Sequence, residues 1–196
     1  MKNYEKTLPA GYREAFTVNA ANNKTGVWLN VIAMIVMAVI VALAAVIIRP
    51  GNIFEESRIS SMLLTLGAMC VYLVLHELVH GAAYKLLTGQ KLTFGFTLTV
   101  AYCGVPEIYV YRRASLIALL APFCVFTVVF GAMTLLMPTA WGRMYSAILL
   151  AVHVGGCAGD LYDTWLYLNR FRDPRTLMRD TGPQQWFYVP EKGEVR

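Results

Sequence analysis

The stretch MLLTLGAMCVYLVLHELVHGAAYKLL, residues 62–87, decides how this chain is organised. It is apolar over more than the roughly 20 residues that a membrane-spanning helix needs. His76, Glu77 and His80 stand within it. Ionisable side chains are costly in hydrocarbon, and where they occur there they usually serve a function. The stretch therefore predicts a membrane helix that carries a functional site.

The spacing of the two histidines is that of a metal-binding pair on one helix. Positions i and i+4 share a helix face, so His76 and His80 can each offer an imidazole nitrogen to one metal ion. Glu77 then lies beside the ion and can take a proton from a water molecule that the metal binds. Zinc suits this chemistry because it lowers the pKa of its bound water to about 7. The alternative is a pair of buried histidines that only hydrogen-bond to neighbouring helices.

The composition favours a small membrane protein. Of the 196 residues, 57% are hydrophobic, and the mean hydropathy of +0.51 is high for a soluble domain. Four apolar segments are long enough to span a bilayer, at residues 27–48, 62–87, 114–137 and about 144–168. We therefore expect an all-α membrane protein with about four transmembrane helices. Its expected parts are an N-terminal segment (1–26), a four-helix membrane domain (27–168) and a C-terminal tail (169–196).

The net charge of +5 is concentrated on one side of this arrangement. Basic residues precede the first helix, fill the connection between the second and third, and follow the fourth: Lys2, Lys6, Arg13, Lys24, Lys85, Lys91, Arg112, Arg113, Arg170, Arg172, Arg175, Arg179, Lys192 and Arg196. Arg49, Arg58 and Arg143 fall on the other side. The positive-inside rule then places both termini in the cytoplasm. Membrane orientation and contact with the lipid bilayer explain the basic excess, so no nucleic-acid partner is expected.

The connection between the second and third helices carries the period-two pattern of a β-strand. From Leu92 to Tyr102, large apolar residues alternate with Thr, Gly and Ala. Residues 103–107 resemble a turn, and residues 108–112 are expected to return as a second strand. We therefore predict a short β-hairpin between helices two and three. Its edge can bind an extended peptide, or the hairpin can simply close the helix bundle.

A catalytic zinc usually has three protein ligands, so one more must come from another helix. The fourth helix offers His153 and Asp160, which are seven residues apart and nearly on one face. At 1.5 Å per residue, Asp160 lies level with the histidine pair and His153 about 10 Å further from the cytoplasm. This favours Asp160 as the third ligand and leaves His153 as the alternative. His153 can otherwise stabilise an oxyanion, support a metal ligand, or bond a carbonyl of the third helix.

Three other residues near the proposed site have competing interpretations. Cys157 offers a thiol as an extra ligand, although the four cysteines form no CxxC pair and are expected to be reduced packing residues. Pro122 is expected to kink the third helix or to free one of its carbonyls. Asp163, one turn beyond Asp160, is either a partner that supports a metal ligand or a charge at the membrane interface, and the second is favoured.

The motif in a membrane helix, the hairpin after it, Pro122 in the third helix and Asp160 in a Gly-rich later helix resemble the intramembrane zinc metalloproteases of the site-2 protease group. More closely, the chain resembles the small bacterial putative zincin peptidases of a domain-of-unknown-function family. The resemblance implies that His76, His80 and Asp160 are zinc ligands and that Glu77 is the general base. It also implies a bacterial cytoplasmic membrane as the location.

These features predict a membrane-embedded zinc metalloendopeptidase that hydrolyses a peptide bond in or near the bilayer. Its partner would be a membrane-protein or peptide substrate. The alternative is a non-catalytic membrane protein with a metal-binding or regulatory role. The two hypotheses differ at Glu77, whose carboxylate is essential for turnover only in the first. The sequence makes no prediction of the oligomeric state.

Overall fold

The computed structural model describes residues 2–19, 24–51, 59–96 and 101–191. The helices are α1 (Lys24–Ile48), α2 (Ile59–Thr88), α3 (Arg112–Leu136), α4 (Ala140–Gly156) and α5 (Ala158–Asn169). The strands are β1 (Tyr4–Glu5), β2 (Tyr12–Asn19), β3 (Thr93–Phe96), β4 (Ala101–Gly104), β5 (Tyr109–Tyr111), β6 (Leu177–Asp180) and β7 (Gln184–Pro190). Arg58, Lys192, Arg196 and the centre of the predicted strand, residues 97–100, lie outside the described residues.

Among the described residues, three helices, α1 to α3, are long and apolar enough to cross a membrane. Their outer faces expose large apolar side chains, with Ile47, Leu64 and Leu135 each at least 75% exposed. Such continuous apolar surface is unusual on a soluble protein and is what lipid contact favours. Helices α4 and α5 pass the same test only as a pair, which is bent by 46°.

The predicted fourth helix is thus two helices rather than one. The break falls at Cys157, whose backbone N–H bonds back to the His153 carbonyl at 3.0 Å. Gly155, Gly156 and Gly159 flank the break, and glycine costs about 1 kcal/mol relative to alanine inside a helix. The bend places Asp160 in the first turn of α5. The argument that His153 and Asp160 share one helix face therefore does not apply.

The prediction of an all-α fold is wrong. An antiparallel sheet of five strands, in the order β1-β5-β6-β7-β2, is assembled from both tails and from the connection between α2 and α3. Strand β2 pairs with β7 over its whole length, so residues 12–19 and 184–190 are neighbours in space. Long apolar runs in the sequence indicate helices. Strand pairing between segments that lie so far apart in the sequence produces no local pattern that would predict it.

The predicted hairpin is also wrong in its pairing. Strand β5 was expected to return against the preceding strand, but it pairs with β1 and β6 in the large sheet. Strands β3 and β4 instead form a separate two-stranded sheet, with Thr93 opposite Gly104. The alternating pattern identified strand-forming residues, but it could not distinguish a local partner from a distant one.

The described chain divides into two compact units, and the first contains the sheet. It comprises residues 1–26, 77–121 and 159–196. One of its cores packs α5 and the start of α3 on the sheet, where Phe171 and Phe187 stack with ring centroids 5.0 Å apart. A second core surrounds Tyr84 near the end of α2 and contains Val105, Ile108 and Ala118. These cores anchor the end of α2 that carries His80.

The second unit is helical and comprises residues 27–76 and 122–158. Aromatic rings of α2 and α3 surround the His153 imidazole, with Tyr72 and Phe126 at centroid distances of 5.6 and 5.8 Å. Helices α1 and α4 meet closely at Gly155, where a Cβ would lie 2.5 Å from Met37 Cγ and 3.1 Å from the Ala33 carbonyl oxygen. Small residues permit this kind of approach between membrane helices.

Candidate metal centre

The first pair of site residues brings α2 and α5 together. His80 Nε2 lies 3.3 Å from an Asp160 carboxylate oxygen, and the two side chains are only 8% and 21% exposed. Both atoms carry lone pairs, so at this distance they require a proton or a cation between them. Asp160, which the depth argument favoured over His153, is thus placed next to a motif histidine.

The other nitrogen of the His80 ring is also fixed. His80 Nδ1 lies 2.8 Å from the carbonyl oxygen of Ala118 in α3. A carbonyl can only accept, so Nδ1 carries the hydrogen and donates it. The lone pair of the neutral ring is therefore on Nε2, directed toward Asp160. Metal-binding histidines usually have this arrangement, in which the distal N–H is held by a carbonyl or a carboxylate.

His76 precedes His80 by one turn of the continuous helix α2, and it is buried. Its Nδ1 lies 3.0 Å from the Tyr72 hydroxyl, which is also 2.9 Å from His153 Nδ1. The opposite nitrogen, His153 Nε2, lies 3.3 Å from the Phe123 carbonyl and 3.1 Å from the Thr127 hydroxyl. The Tyr72 hydroxyl thus links the two imidazoles.

These contacts permit one consistent direction of donation when the rings are neutral. The Phe123 carbonyl only accepts, so His153 carries its hydrogen on Nε2 and accepts on Nδ1. Tyr72 donates to that nitrogen, and its oxygen then accepts from His76 Nδ1–H. His76 therefore also keeps its lone pair on Nε2. In this neutral arrangement both motif histidines carry the hydrogen on Nδ1 and the lone pair on Nε2.

Two sets of side chains offer ligand atoms suitable for a metal ion. His76, His80 and Asp160 supply two imidazole nitrogens and a carboxylate oxygen, a donor set that fits zinc. His76, His153 and Cys157 are all buried, with ligand atoms within 4.8 Å of one another. The structure thus places Asp160 beside His80, and it places His153 beside Tyr72, His76 and Cys157.

Glu77 is half-buried and follows His76 directly on α2. Consecutive helical residues are rotated by about 100°, so its side chain leaves the helix beside the face that carries the two imidazoles rather than on it. This is the position that the motif predicts for a carboxylate that acts near the metal without binding it.

Sequence reasoning missed a buried acidic group close to the motif helix. The Tyr84 hydroxyl, one turn after His80, donates to Asp180 Oδ2 at 2.7 Å, and the Gly182 N–H donates to Asp180 Oδ1 at 2.8 Å. Burial raises the pKa of Asp180 to about 6, although both hydrogen bonds act to lower it. The sequence Asp180-Thr181-Gly182-Pro183 is typical of a turn. Nothing in the sequence indicates that this turn lies close to α2.

Asp163, which the sequence favours as a charge at the membrane interface, is buried in the protein. The side chain is only 3% exposed. One of its carboxylate oxygens has no hydrogen-bond partner among the described residues. Asp163 follows Asp160 by three residues and is one of the buried residues of α5.

A separate cavity of about 650 Å³ lies among the basic residues at the start of α3. Its lining includes Lys2, Tyr111, Arg112, Arg113 and Arg175, together with shorter polar and apolar side chains. It contains neither of the two candidate ligand sets. The cavity is therefore distinct from the metal centre.

The chain matches a protein-family model. The model of the family described as "Putative zincin peptidase" (DUF3267) matches residues 69–173, just over half of the chain, and these include every candidate ligand and Glu77. No curated protein and no solved structure matches the chain. The match supports a zinc metallopeptidase in general and the resemblance to the small zincin peptidases. It gives no support to the resemblance to the site-2 protease group.

Proposed function

The chain belongs to the family of putative zincin peptidases, and from this premise we propose that it is a membrane-embedded zinc metalloendopeptidase that hydrolyses a peptide bond in or near the bilayer. The observation that carries the proposal is the pair of His80 Nε2 and Asp160 Oδ2 at 3.3 Å. With His80 Nδ1–H held by the Ala118 carbonyl, that pair presents a lone pair and a carboxylate to one cation.

The proposed zinc ligands are His76, His80 and Asp160. The first two lie one turn apart on α2, and Asp160 is beside His80. Three protein ligands leave one position for water, as in catalytic zinc sites. When bound, zinc supplies a Lewis acid that polarises the scissile carbonyl and makes water more acidic.

The remaining steps belong to residues of the chain. Glu77 accepts a proton from the attacking water and then delivers it to the leaving nitrogen, which balances the protons of hydrolysis. Tyr72 and His153 hold His76 in its metal-binding tautomer. His153 is thereby a positioning residue, in place of the oxyanion role that the sequence left open.

The substrate is proposed to bind as an extended strand beside the motif helix. Strand β3 packs on α2 directly after His80, because a Cβ at Gly81 would lie 2.6 Å from the Phe94 ring. Among the described residues the β3–β4 sheet has two strands, and Phe96 at the end of β3 is 88% exposed. A peptide of a membrane protein can add to such an edge through main-chain hydrogen bonds.

The location proposed for the protein is the cytoplasmic membrane of a bacterium, with both termini in the cytoplasm. The apolar surfaces of α1 to α3 support membrane insertion. The basic residues on the two tails and on the α2–α3 connection support the orientation.

The first experiment is the metal content of detergent-purified protein, measured by elemental mass spectrometry. We expect about one zinc per chain in the wild type and none in His80→Ala or Asp160→Ala. Asp173→Ala is the matched control, since this exposed carboxylate pairs with Arg175 outside the site. Folded wild-type protein without metal would overturn the proposal.

A second candidate is a non-catalytic metal-binding protein that uses His76, His153 and Cys157. The close approach of these three buried side chains favours it. In this case zinc would be lost from Cys157→Ser and retained in Asp160→Ala. The same measurement therefore separates the two candidates.

A further inference from the structure

We propose that Pro122 is a positioning residue of the metal centre, because it leaves the Ala118 carbonyl available to His80. The inference rests on the proposed function, since it assigns His80 as a zinc ligand. It concerns a residue of α3 that contributes no ligand atom.

The physical basis is the hydrogen-bond pattern of the α-helix. The carbonyl of residue i normally accepts from the N–H of residue i+4. Residue 122 is four positions after Ala118, and Pro122 lies inside α3. Proline has no N–H, and its ring crowds the carbonyl four residues earlier. The helix therefore cannot supply the usual donor to the Ala118 carbonyl.

His80 supplies a donor in its place. Its Nδ1 lies 2.8 Å from the Ala118 carbonyl oxygen, and Ala118 is fully buried. A buried carbonyl left without a partner is destabilising, so both groups gain from this contact. The carbonyl needs the hydrogen, and His80 needs an acceptor that fixes its ring.

The consequence is a choice between tautomers. With Nδ1–H bound to the carbonyl, His80 keeps its Nε2 lone pair for a metal. An N–H at position 122 would compete for the same oxygen along the helix axis. His80 could then place its hydrogen on Nε2 and donate to Asp160 at 3.3 Å, which would block the metal-binding nitrogen. Pro122 thus selects the metal-competent tautomer.

The test uses Pro122→Ala and the full-length protein in detergent. The chain has only three histidines, so ¹⁵N-histidine spectra of metal-free protein can assign each ring. We expect His80 Nδ1 to carry a hydrogen in the wild type and to lose it in Pro122→Ala, where the hydrogen is on Nε2 alone. Zinc affinity, measured by competition with a chelator, should fall by about tenfold, as for other residues that support metal-binding histidines.

Pro138→Ala is the matched control, because Pro138 lies between α3 and α4 and not inside a helix. It should change neither the spectrum nor the affinity. If His80 Nδ1 carries no hydrogen in the wild type, the inference is wrong whether or not the variant folds. It is also wrong if Pro122→Ala changes only one of the two readouts.

The outcomes for the inference and for the proposed function are separable. Unchanged zinc affinity in Pro122→Ala, with zinc lost from His80→Ala, would overturn the role of Pro122 and leave the metallopeptidase standing. A wild-type protein that binds no zinc would overturn the proposed function, and this inference with it.

Discussion

At the scale of single residues, the site depends on which ring nitrogen of each histidine carries the hydrogen. Contacts with carbonyl acceptors indicate which nitrogen carries the hydrogen in His80 and His153. For His76 the indication comes from its contact with the Tyr72 hydroxyl. The motif specifies which residues are present. The tautomers depend on hydrogen-bond partners that lie outside the five-residue motif.

Tyr72→Phe tests the link between His76 and His153. Loss of the hydroxyl removes both hydrogen bonds, so His76 can populate either tautomer. We expect zinc affinity to fall by about tenfold. Tyr145→Phe is the control, since the Tyr145 hydroxyl is buried without a partner among the described residues. Equal affinity in the two variants would exclude a positioning role for Tyr72.

Glu77→Gln tests the role proposed for Glu77 as the general base. The amide keeps the size of the side chain but cannot accept a proton, so zinc should stay bound while cleavage slows by about 10²-fold or more. Cleavage can be followed on a single-span membrane protein reconstituted with the enzyme in liposomes. Turnover at the wild-type rate would show that Glu77 is not the base.

Asp180 should make stability depend on pH in an identifiable direction. Its pKa is raised by burial from 3.8 to about 6, so the folded state holds the proton more tightly than the unfolded state. Its contribution to stability is therefore full below about pH 4 and is lost as the pH rises through about 6. Thermal unfolding in detergent between these values should show a flatter pH dependence in Asp180→Asn.

The control for that series has the opposite sign. Hydrogen bonds from Arg175 lower the pKa of Asp173, so its contribution to stability is lost as the pH falls. Asp173→Asn should therefore leave the decline between about pH 4 and pH 6 unchanged or steepen it. An identical pH profile in wild type and Asp180→Asn would mean that the buried carboxyl does not titrate in this range.

At the scale of elements, close approach between helices depends on small residues at particular points. Gly155→Ala should destabilise the protein by about 1–3 kcal/mol, because the added methyl meets Met37 and the Ala33 carbonyl. Gly131→Ala is the matched control, because a Cβ added at Gly131 would have no heavy atom of a neighbouring residue within 4 Å among the described residues. Thermal unfolding in detergent compares them, and equal midpoints would contradict the packing of α1 on α4 at this position.

The elements also show where local patterns failed. Residues 109–111 have strand-forming side chains, but β5 finds its partners in β1 and β6. The apolar pattern of residues 144–168 predicts one helix, but the structure has two, α4 and α5, with a bend of 46° between them. In both cases the local composition indicates the type of element. It does not indicate which strand β5 pairs with or where the helix is interrupted.

At the scale of the whole molecule, the sheet constrains the path of the chain through a membrane. Strand β2 precedes α1, β5 lies between α2 and α3, and β7 follows α5, yet all three belong to one sheet. A sheet cannot be divided by hydrocarbon. If α1, α2 and α3 each cross, the bent α4–α5 pair must therefore bring the chain back. Both termini then lie on one side.

Cysteine labelling tests this path in a variant without the two exposed cysteines, Cys70 and Cys124. A cysteine at Lys2 or Glu191 should react with an impermeant maleimide only after the membrane is opened. One at Gly51 or Thr139 should react in intact cells. Labelling of the two termini from opposite sides would contradict the four-crossing path.

The sequence by itself determined the apolar helices and the residues of the motif, because helix periodicity and hydrophobic run length are local properties. Only the tertiary structure decided the five-stranded sheet, the burial of Asp163 and Asp180, and the tautomers of the histidines. Each of these depends on atoms far apart along the chain, such as His80 and the Ala118 carbonyl. Such pairs form because buried polar groups must be satisfied wherever a partner lies, and one-dimensional spacing does not encode that.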